Sequence, residues 1–143
     1  VIGGSWAAYW YNGYIYSSEL DRGLDILELV PNEHLSKNEI EAAKLVRMEE
    51  YNPQTQPKIV WPPAFPVVRA YLDQIVRKGA LPEARTTAIA RAIDDAEAVT
   101  GAARRQRLER LASELERDAR RSSDPERVRA MAAAARELAA ASH

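Results

Sequence analysis

Ser5-Trp6-Ala7-Ala8-Tyr9-Trp10-Tyr11-Asn12-Gly13-Tyr14-Ile15-Tyr16-Ser17-Ser18-Glu19 is the stretch on which the fold turns. Asn-Gly between aromatic and β-branched residues is a strong hairpin signal, because a two-residue type I′ turn needs positive φ at both central positions. Strands are therefore expected on either side of it. Alternation puts Trp6, Ala8 and Trp10 on one face and Tyr9 and Tyr11 on the other. Both faces are expected to be covered, as in a sheet stacked between neighbours. Asp21-Arg22-Gly23 reads as the next turn, and residues 24–30 as a third strand stopped by Pro31.

Outward from this meander the chain turns helical. Ser36 and Glu39 have the spacing of a capping box, with Leu35 and Ile40 placed as a hydrophobic staple. That helix is expected to run to about Glu50. Residues 52–63 contain four prolines among polar residues, which predicts an extended connector with Ile59, Val60 and Trp61 against the core. Val67, Val68, Tyr71, Leu72, Ile75 and Val76 then form an apolar stripe at helical spacing, closed by Gly79 as a C′ residue.

Three further helices follow. Ile89, Ala92, Ile93 and Ala96 mark the first, which Thr100-Gly101 breaks. Leu108, Leu111, Ala112, Leu115 and Ala119 mark the second. Asp124 as N-cap with Pro125 at N1 opens the third, striped by Val128, Met131, Ala132, Ala135, Leu138 and Ala139. Short joints favour antiparallel neighbours, so a small bundle is expected, with helix 65–79 as a fourth member. The fold class is α+β: a short three-stranded antiparallel meander, then an all-helical part of three to four helices. The segments are 1–30 for the meander, 31–63 for the capped helix and connector, and 64–143 for the bundle. Composition also shifts near Gly79, since all ten aromatic residues lie at or before Tyr71 and every basic residue after Lys78 is Arg. The main boundary is expected there, with a softer one near Pro31.

Hydrophobic residues at 46% and charged residues at 29% are globular values and imply a core. A net charge of −1 supplies no field that would steer the whole molecule to nucleic acid or an anionic membrane. The balance is uneven, with 5 basic and 9 acidic groups in residues 1–60 and 15 and 12 in the rest. Absence of cysteine excludes a disulfide framework, a thiolate zinc site and a cysteine nucleophile. No apolar run approaches the roughly 20 residues that span a bilayer. Val1-Ile2-Gly3-Gly4 has no charged n-region, so no signal peptide is read there. With no initiating Met and a strand-like opening, the chain is expected to be part of something longer.

The residues Trp6-Ala-Ala-Tyr-Trp-Tyr-Asn-Gly-Tyr-Ile-Tyr-Ser-Ser-Glu-Leu-Asp-Arg-Gly-Leu-Asp-Ile-Leu-Glu-Leu29 resemble the last blade of LVIVD-repeat proteins, a family of bacterial β-propellers. Asn52-Pro53-Gln54-Thr55-Gln56, Trp61-Pro62-Pro63 and Arg69-Ala70-Tyr71-Leu72-Asp73-Gln74 look like the tail that follows the propeller in that family. The resemblance covers about residues 5–76 and implies an exported or surface-associated scaffold, extracellular or at the cell surface, with repeats that present an interaction surface. It brings no catalytic residues. Only one partial blade is present, and a propeller needs several to bury its sheet faces. The strands must find other cover, from the helices or from a second chain. A homo-oligomer through the meander is the expected outcome.

Catalytic chemistry is sparse. His34, in a loop before the capped helix, reads as surface rather than as a ligand or base, and His143 is terminal. Glu19, Asp21 and Arg22, with Asp25 nearby, are the one set from which a hydrolase could draw an acid and a base. The plainer reading makes Asp21 a turn residue and Arg22 an ion-pair partner. Trp6, Tyr9, Trp10, Tyr11, Tyr14 and Tyr16 could stack on sugar or bases, but Arg22 is the only cation before Lys37, which disfavours nucleic acid. Arg104, Arg105, Arg107, Arg110, Arg117, Arg120 and Arg121 are interleaved with Glu109, Glu114, Glu116 and Asp118, as on a solvated face laced with i, i+4 pairs. Gly3-Gly4 lacks any nucleotide-loop context.

The sequence thus points to a non-catalytic scaffold or interaction module with a protein, or itself, as partner. No metal or cofactor is expected. Trp10, Tyr14 and Tyr16 are the candidate interaction surface. A small enzyme using Glu19, Asp21 and Arg22, or a cytosolic helical adaptor, are the alternatives.

Overall fold

The computed structural model describes residues 3–55 and 58–142. Val1, Ile2, Gln56, Pro57 and His143 lie outside the described residues, and with them the strand-like opening of the chain, the middle of the connector and the terminal histidine. The fold is α+β, with three strands followed by five helices. It divides into two compact units, Val1–Pro62 and Pro63–His143.

In the first unit, β1 (Ser5–Tyr11), β2 (Tyr14–Glu19) and β3 (Gly23–Leu27) form an antiparallel meander in the order β1-β2-β3. Asn12 and Gly13 have φ of 49° and 102°, the left-handed pair that a type I′ turn requires and that Asn-Gly adopts at least cost. Tyr9 pairs with Tyr16, Trp10 with Ile15 and Tyr11 with Tyr14, and β3 continues the ladder from Ile15↔Leu27 to Glu19↔Gly23. A bulge between Ser5 and Ala7 makes Trp6 the extra residue and breaks the alternation that would have aligned it with Ala8 and Trp10. The third strand stops at Leu27, three residues short of the expected Val30.

The capping box is present in full. Glu39 N donates to Ser36 Oγ at 3.1 Å and Ser36 N to the Glu39 carboxylate at 2.7 Å. The helix it opens, α1 (Lys37–Lys44), is shorter than expected and does not reach Glu50. The cause lies in the hairpin turn. Met48 N donates to Asn12 Oδ1 and Asn12 Nδ2 donates to Met48 O, both at 2.9 Å, while Arg47 Nη1 donates to Asn12 O at 2.8 Å. A helix running on through Arg47 and Met48 would lose these bonds. After a 3-10 turn at Pro53–Thr55, Ile59, Val60 and Trp61 are all exposed, contrary to the expectation that they would tuck against a core.

The second unit is a four-helix arrangement of α2 (Phe65–Arg77), α3 (Glu83–Glu97), α4 (Gly101–Ala119) and α5 (Pro125–Ala140). Helix α5 packs against α4 and α2, and α3 packs against both α2 and α4. The stripes meet as expected except at Val76, which the stripe of residues 67–76 included and which is exposed, and Ile75, Ile89, Ile93, Leu108, Leu111, Leu115 and Met131 are the largest side chains of the closed core. Gly79, at φ 59°, ends α2 in a Schellman motif, with Gly79 N bonded to Val76 O and Ala80 N to Ile75 O, both at 2.9 Å. The compositional change at Gly79 is therefore a helix cap inside this unit. It is not the unit's edge. Asp124 caps α5 by accepting from Arg127 N at 3.1 Å.

Candidate functional site

The meander is the first place where the sequence put function. Its ladder decides which residues can act together, because paired residues on adjacent strands share a face. Ala7, Tyr9 and Tyr11 share one face with Tyr14, Tyr16 and Ser18 and with Leu24 and Ile26 of β3. Trp10 lies on the other, with Ile15, Ser17, Asp25 and Leu27. Trp10, Tyr14 and Tyr16 thus do not form one surface, and the proposed triple is split by the register.

What gathers instead is a tyrosine cluster. Tyr11 meets Tyr16 edge-on at 6.1 Å between centroids, and Tyr51 lies 6.3 Å from Tyr9 and 6.4 Å from Tyr11. Tyr11 Oη also donates to Glu49 O at 3.0 Å. Tyr51 was not singled out in the sequence, where it stands alone between charged and polar residues. Its recruitment follows from the clasp between Asn12 and Met48, which carries residues 49–51 back over the sheet.

Beyond this cluster the sheet is open. Trp6 is 76% exposed, Leu24 60%, Ile26 58% and Leu27 50%. The expectation that both faces are covered is corrected on this point. Within the sheet itself only Ser17 is buried, and its Oγ lies 2.5 Å from that of Ser5. No other strand pairs with the outer side of β1 or β3 among the described residues.

Glu19, Asp21 and Arg22 do come together, but as a turn. The Glu19 side chain is only 7% exposed. It accepts from Gly4 N at 2.6 Å and from Asp21 N and Arg22 N at 2.8 Å each. Bonds from the amides of Arg22, Asp21 and Gly4 hold its carboxyl below the ordinary carboxylate value. An ionised group committed to three amides is a poor proton donor at neutral pH. Arg22 extends from the turn to Asp25 at 2.6 Å, and Asp21 is exposed. His34 stands in the open beside Glu33, 3.4 Å away with both side chains 85% exposed.

The arginines of α4 do not mainly pair along their own helix. Of the i, i+4 contacts, Arg110 to Glu114 is long at 3.9 Å. Glu114 and Asp118 turn instead to Arg85 of α3, at 3.1 and 2.7 Å, and Glu116 to Arg136 of α5 at 2.9 Å. Burial pulls the Arg85 guanidinium down, but its two carboxylate partners outweigh this and raise it. Arg104 caps the end of α3 through Val99 O at 2.8 Å and lies over the Phe65 ring. Sequence reasoning missed these bridges because spacing along one helix says nothing of the neighbour's charges.

Two open grooves accompany these charges. One of about 470 Å³ between α3 and α4 is lined by Ala92, Asp95, Arg107, Arg110, Leu111 and Glu114. The other, about 490 Å³ between α4 and α5, is lined by Arg105, Glu109, Ser113, Arg136 and Ala140. Several of their charged groups are already bonded across helices, Arg107 to Asp95 O among them at 2.5 Å. Among the described residues no group of three or more His, Asp or Glu side chains is placed to hold a metal ion. No helix is long and apolar enough to cross a membrane among these residues. The chain matches no family model, no curated protein and no solved structure.

Proposed function

We propose that the chain is a non-catalytic protein-interaction module, the C-terminal part of an exported propeller-type protein at the cell surface, and that the meander is its docking surface. The observation that carries this reading is the sheet's exposure. Three strands with two outer edges unpaired among the described residues present Leu24, Ile26 and Leu27 to solvent. An uncovered edge is a template for a further strand. The bundle supports the reading from the other side, since its apolar stripes are already spent on one another and Arg69, Arg85 and Arg136 on carboxylates of neighbouring helices.

The Glu19 carboxylate that an enzyme would draw on is engaged in shaping the turn, and Asp21 is exposed, which favours the interaction reading over a hydrolase. The resemblance of residues 6–29 to a propeller blade supplies the propeller context and the surface location. Site-specific photocrosslinking in the cells that produce the protein tests it. A photoreactive residue at Tyr14, Leu24 or Ile26 is expected to give one discrete protein adduct, absent when the probe sits at the exposed Arg91 or Glu137 of the bundle. No adduct from the sheet, or the same adducts from the bundle, would contradict it.

A further inference from the structure

We propose that the outer edge of β3 pairs with the same edge of a second copy of this chain, antiparallel and centred on Asp25. This rests on reading the meander as a docking surface, and it adds the occupant and the register.

The two edges of the sheet are not equivalent. β1 carries the bulge at Ser5/Ala7, and residues 48–51 lie against its far end, through the Asn12 clasp at the turn and the Tyr51 ring on the face that bears Tyr9 and Tyr11. Bulges and covering segments are how proteins blunt an edge. β3 has neither. Its ladder to β2 is regular over all five residues, and Gly23-Leu24-Asp25-Ile26-Leu27 contains no proline or lysine.

Self-complementarity selects the partner. An antiparallel pair of identical edges that extends one continuous sheet has a twofold axis normal to it, and residues of like parity face each other. Centred on Asp25, Leu24 stands opposite Ile26 of the second copy and Ile26 opposite its Leu24, joining two exposed apolar pairs on the same face. Arg22 stands opposite Glu28, and Glu28 opposite Arg22, so charges of opposite sign flank the pair. Within one copy Glu28 meets Lys44 at 2.9 Å and Arg22 meets Asp25 at 2.6 Å, so the cross-copy attraction adds to pairs already made.

The one like pair is Asp25 against Asp25, and each carboxylate already has its own Arg22 guanidinium at 2.6 Å. Shifting the centre to Ile26 would set Leu24 against Glu28, and shifting it to Leu24 would set Ile26 against Arg22. Only the Asp25 register matches apolar with apolar and opposite with opposite. A contact of five residues a side falls below the area of standard stable interfaces, so the dimer belongs to the weak, concentration-dependent class.

Because the chain contains no cysteine, a single introduced thiol reports the register. With the full chain, the sedimentation mass is expected to rise from 16.0 kDa toward twice that value between about 1 and about 300 μM. Ile26→Lys, at an exposed position, is expected to hold it at the monomer mass with an unchanged circular dichroism spectrum. An oxidised mixture of Leu24→Cys and Ile26→Cys is expected to give several-fold more cross-linked dimer than either variant alone.

A monomer at every concentration overturns the proposal, as does a dimer indifferent to Ile26→Lys. Leu24→Cys linking to itself as readily as to Ile26→Cys overturns the register. A monomer that still gives the discrete photocrosslinked adduct from the sheet defeats self-pairing alone, whereas loss of both results removes the docking surface with it.

Discussion

The two units of this chain use apolar side chains in opposite ways. In the helical unit Ile75, Ile89, Ile93, Leu108 and Leu115 are at or near complete burial, because four amphipathic stripes face one another across short joints. In the first unit Trp6, Leu24, Ile26 and Leu27 of the sheet stay in water, Trp10, Tyr11, Ile15 and Tyr16 are only half-buried, and the buried apolar positions are Ile40, Ala42 and Val46, in and just after α1. A helix can close its stripe against another helix of the same short segment. A three-stranded sheet has two faces and two edges and needs a second layer to close them. Amphipathic pattern alone therefore finishes the bundle and leaves the meander unfinished.

The contrast is broken most strongly by substituting matched residues in the two units. Leu115→Ala or Ile93→Ala, at positions with no exposure, should cost about 2–5 kcal/mol in urea unfolding of the bundle. Trp6→Ala, although it removes a larger side chain, should cost less than about 0.5 kcal/mol in dilute protein. A large loss at Trp6 would mean that the sheet is already covered.

Asn12→Ala should come next, at about 2 kcal/mol, since it removes two hydrogen bonds to Met48 and forces a β-carbon residue without a local polar group into the left-handed region. The loss should appear in amide exchange across residues 12–16 and 47–51 and leave the bundle amides unchanged. Gly79→Ala, which places a side chain at positive φ in the α2 cap, should cost about 1 kcal/mol in the bundle. Tyr51→Ala should cost a similar or smaller amount, about 0.5–1.5 kcal/mol, through its ring contacts with Tyr9 and Tyr11. Both are read by urea unfolding.

The smallest effect is acid sensitivity. Glu19 has an ordinary carboxyl value of 4.5 and is held lower in the fold, first by the amides of Arg22, Asp21 and Gly4. Its contribution is fully present above about pH 4.5 and is lost as pH falls through the folded-state value, because the unfolded chain then binds more protons. Glu19→Gln should abolish the acid-induced shift of the Asp21 and Arg22 amide resonances while leaving that of Arg127, which reports on Asp124, in place. Asp124 is likewise held low, by Arg127 N and then by Lys78.

The helices were largely legible, α1 by its start and the bundle throughout, because their signals are local and periodic. Ser36 with Glu39, Asp124 with Pro125, Gly79 and the helical stripes each specify geometry within a few residues, and each appears where the spacing put it. The Asn12-Gly13 turn was legible for the same reason. What the sequence concealed depends on residues far apart in the chain. The early end of α1 at Lys44 is set by the side chain of Asn12, and Tyr51 acquires its ring contacts only because of that clasp. The bulge at Trp6 breaks an alternation that looked regular, and the one-residue logic of strand register separates Trp10 from Tyr14 and Tyr16. Glu19 resembled half of a catalytic pair, yet its oxygens are committed to three amides. The exposure of the sheet was the least legible feature, because aromatic strands that pack and aromatic strands that wait for a partner have the same composition.

Amide hydrogen exchange measured at low and at high protein concentration tests most directly whether the bundle is complete and the meander is not. Amides of α2–α5 should be strongly protected and indifferent to concentration, while the outward amides of β3 should exchange quickly in dilute protein and gain protection as the concentration rises. Protection of β3 in dilute protein equal to that of the bundle, unchanged on concentrating, would contradict the account.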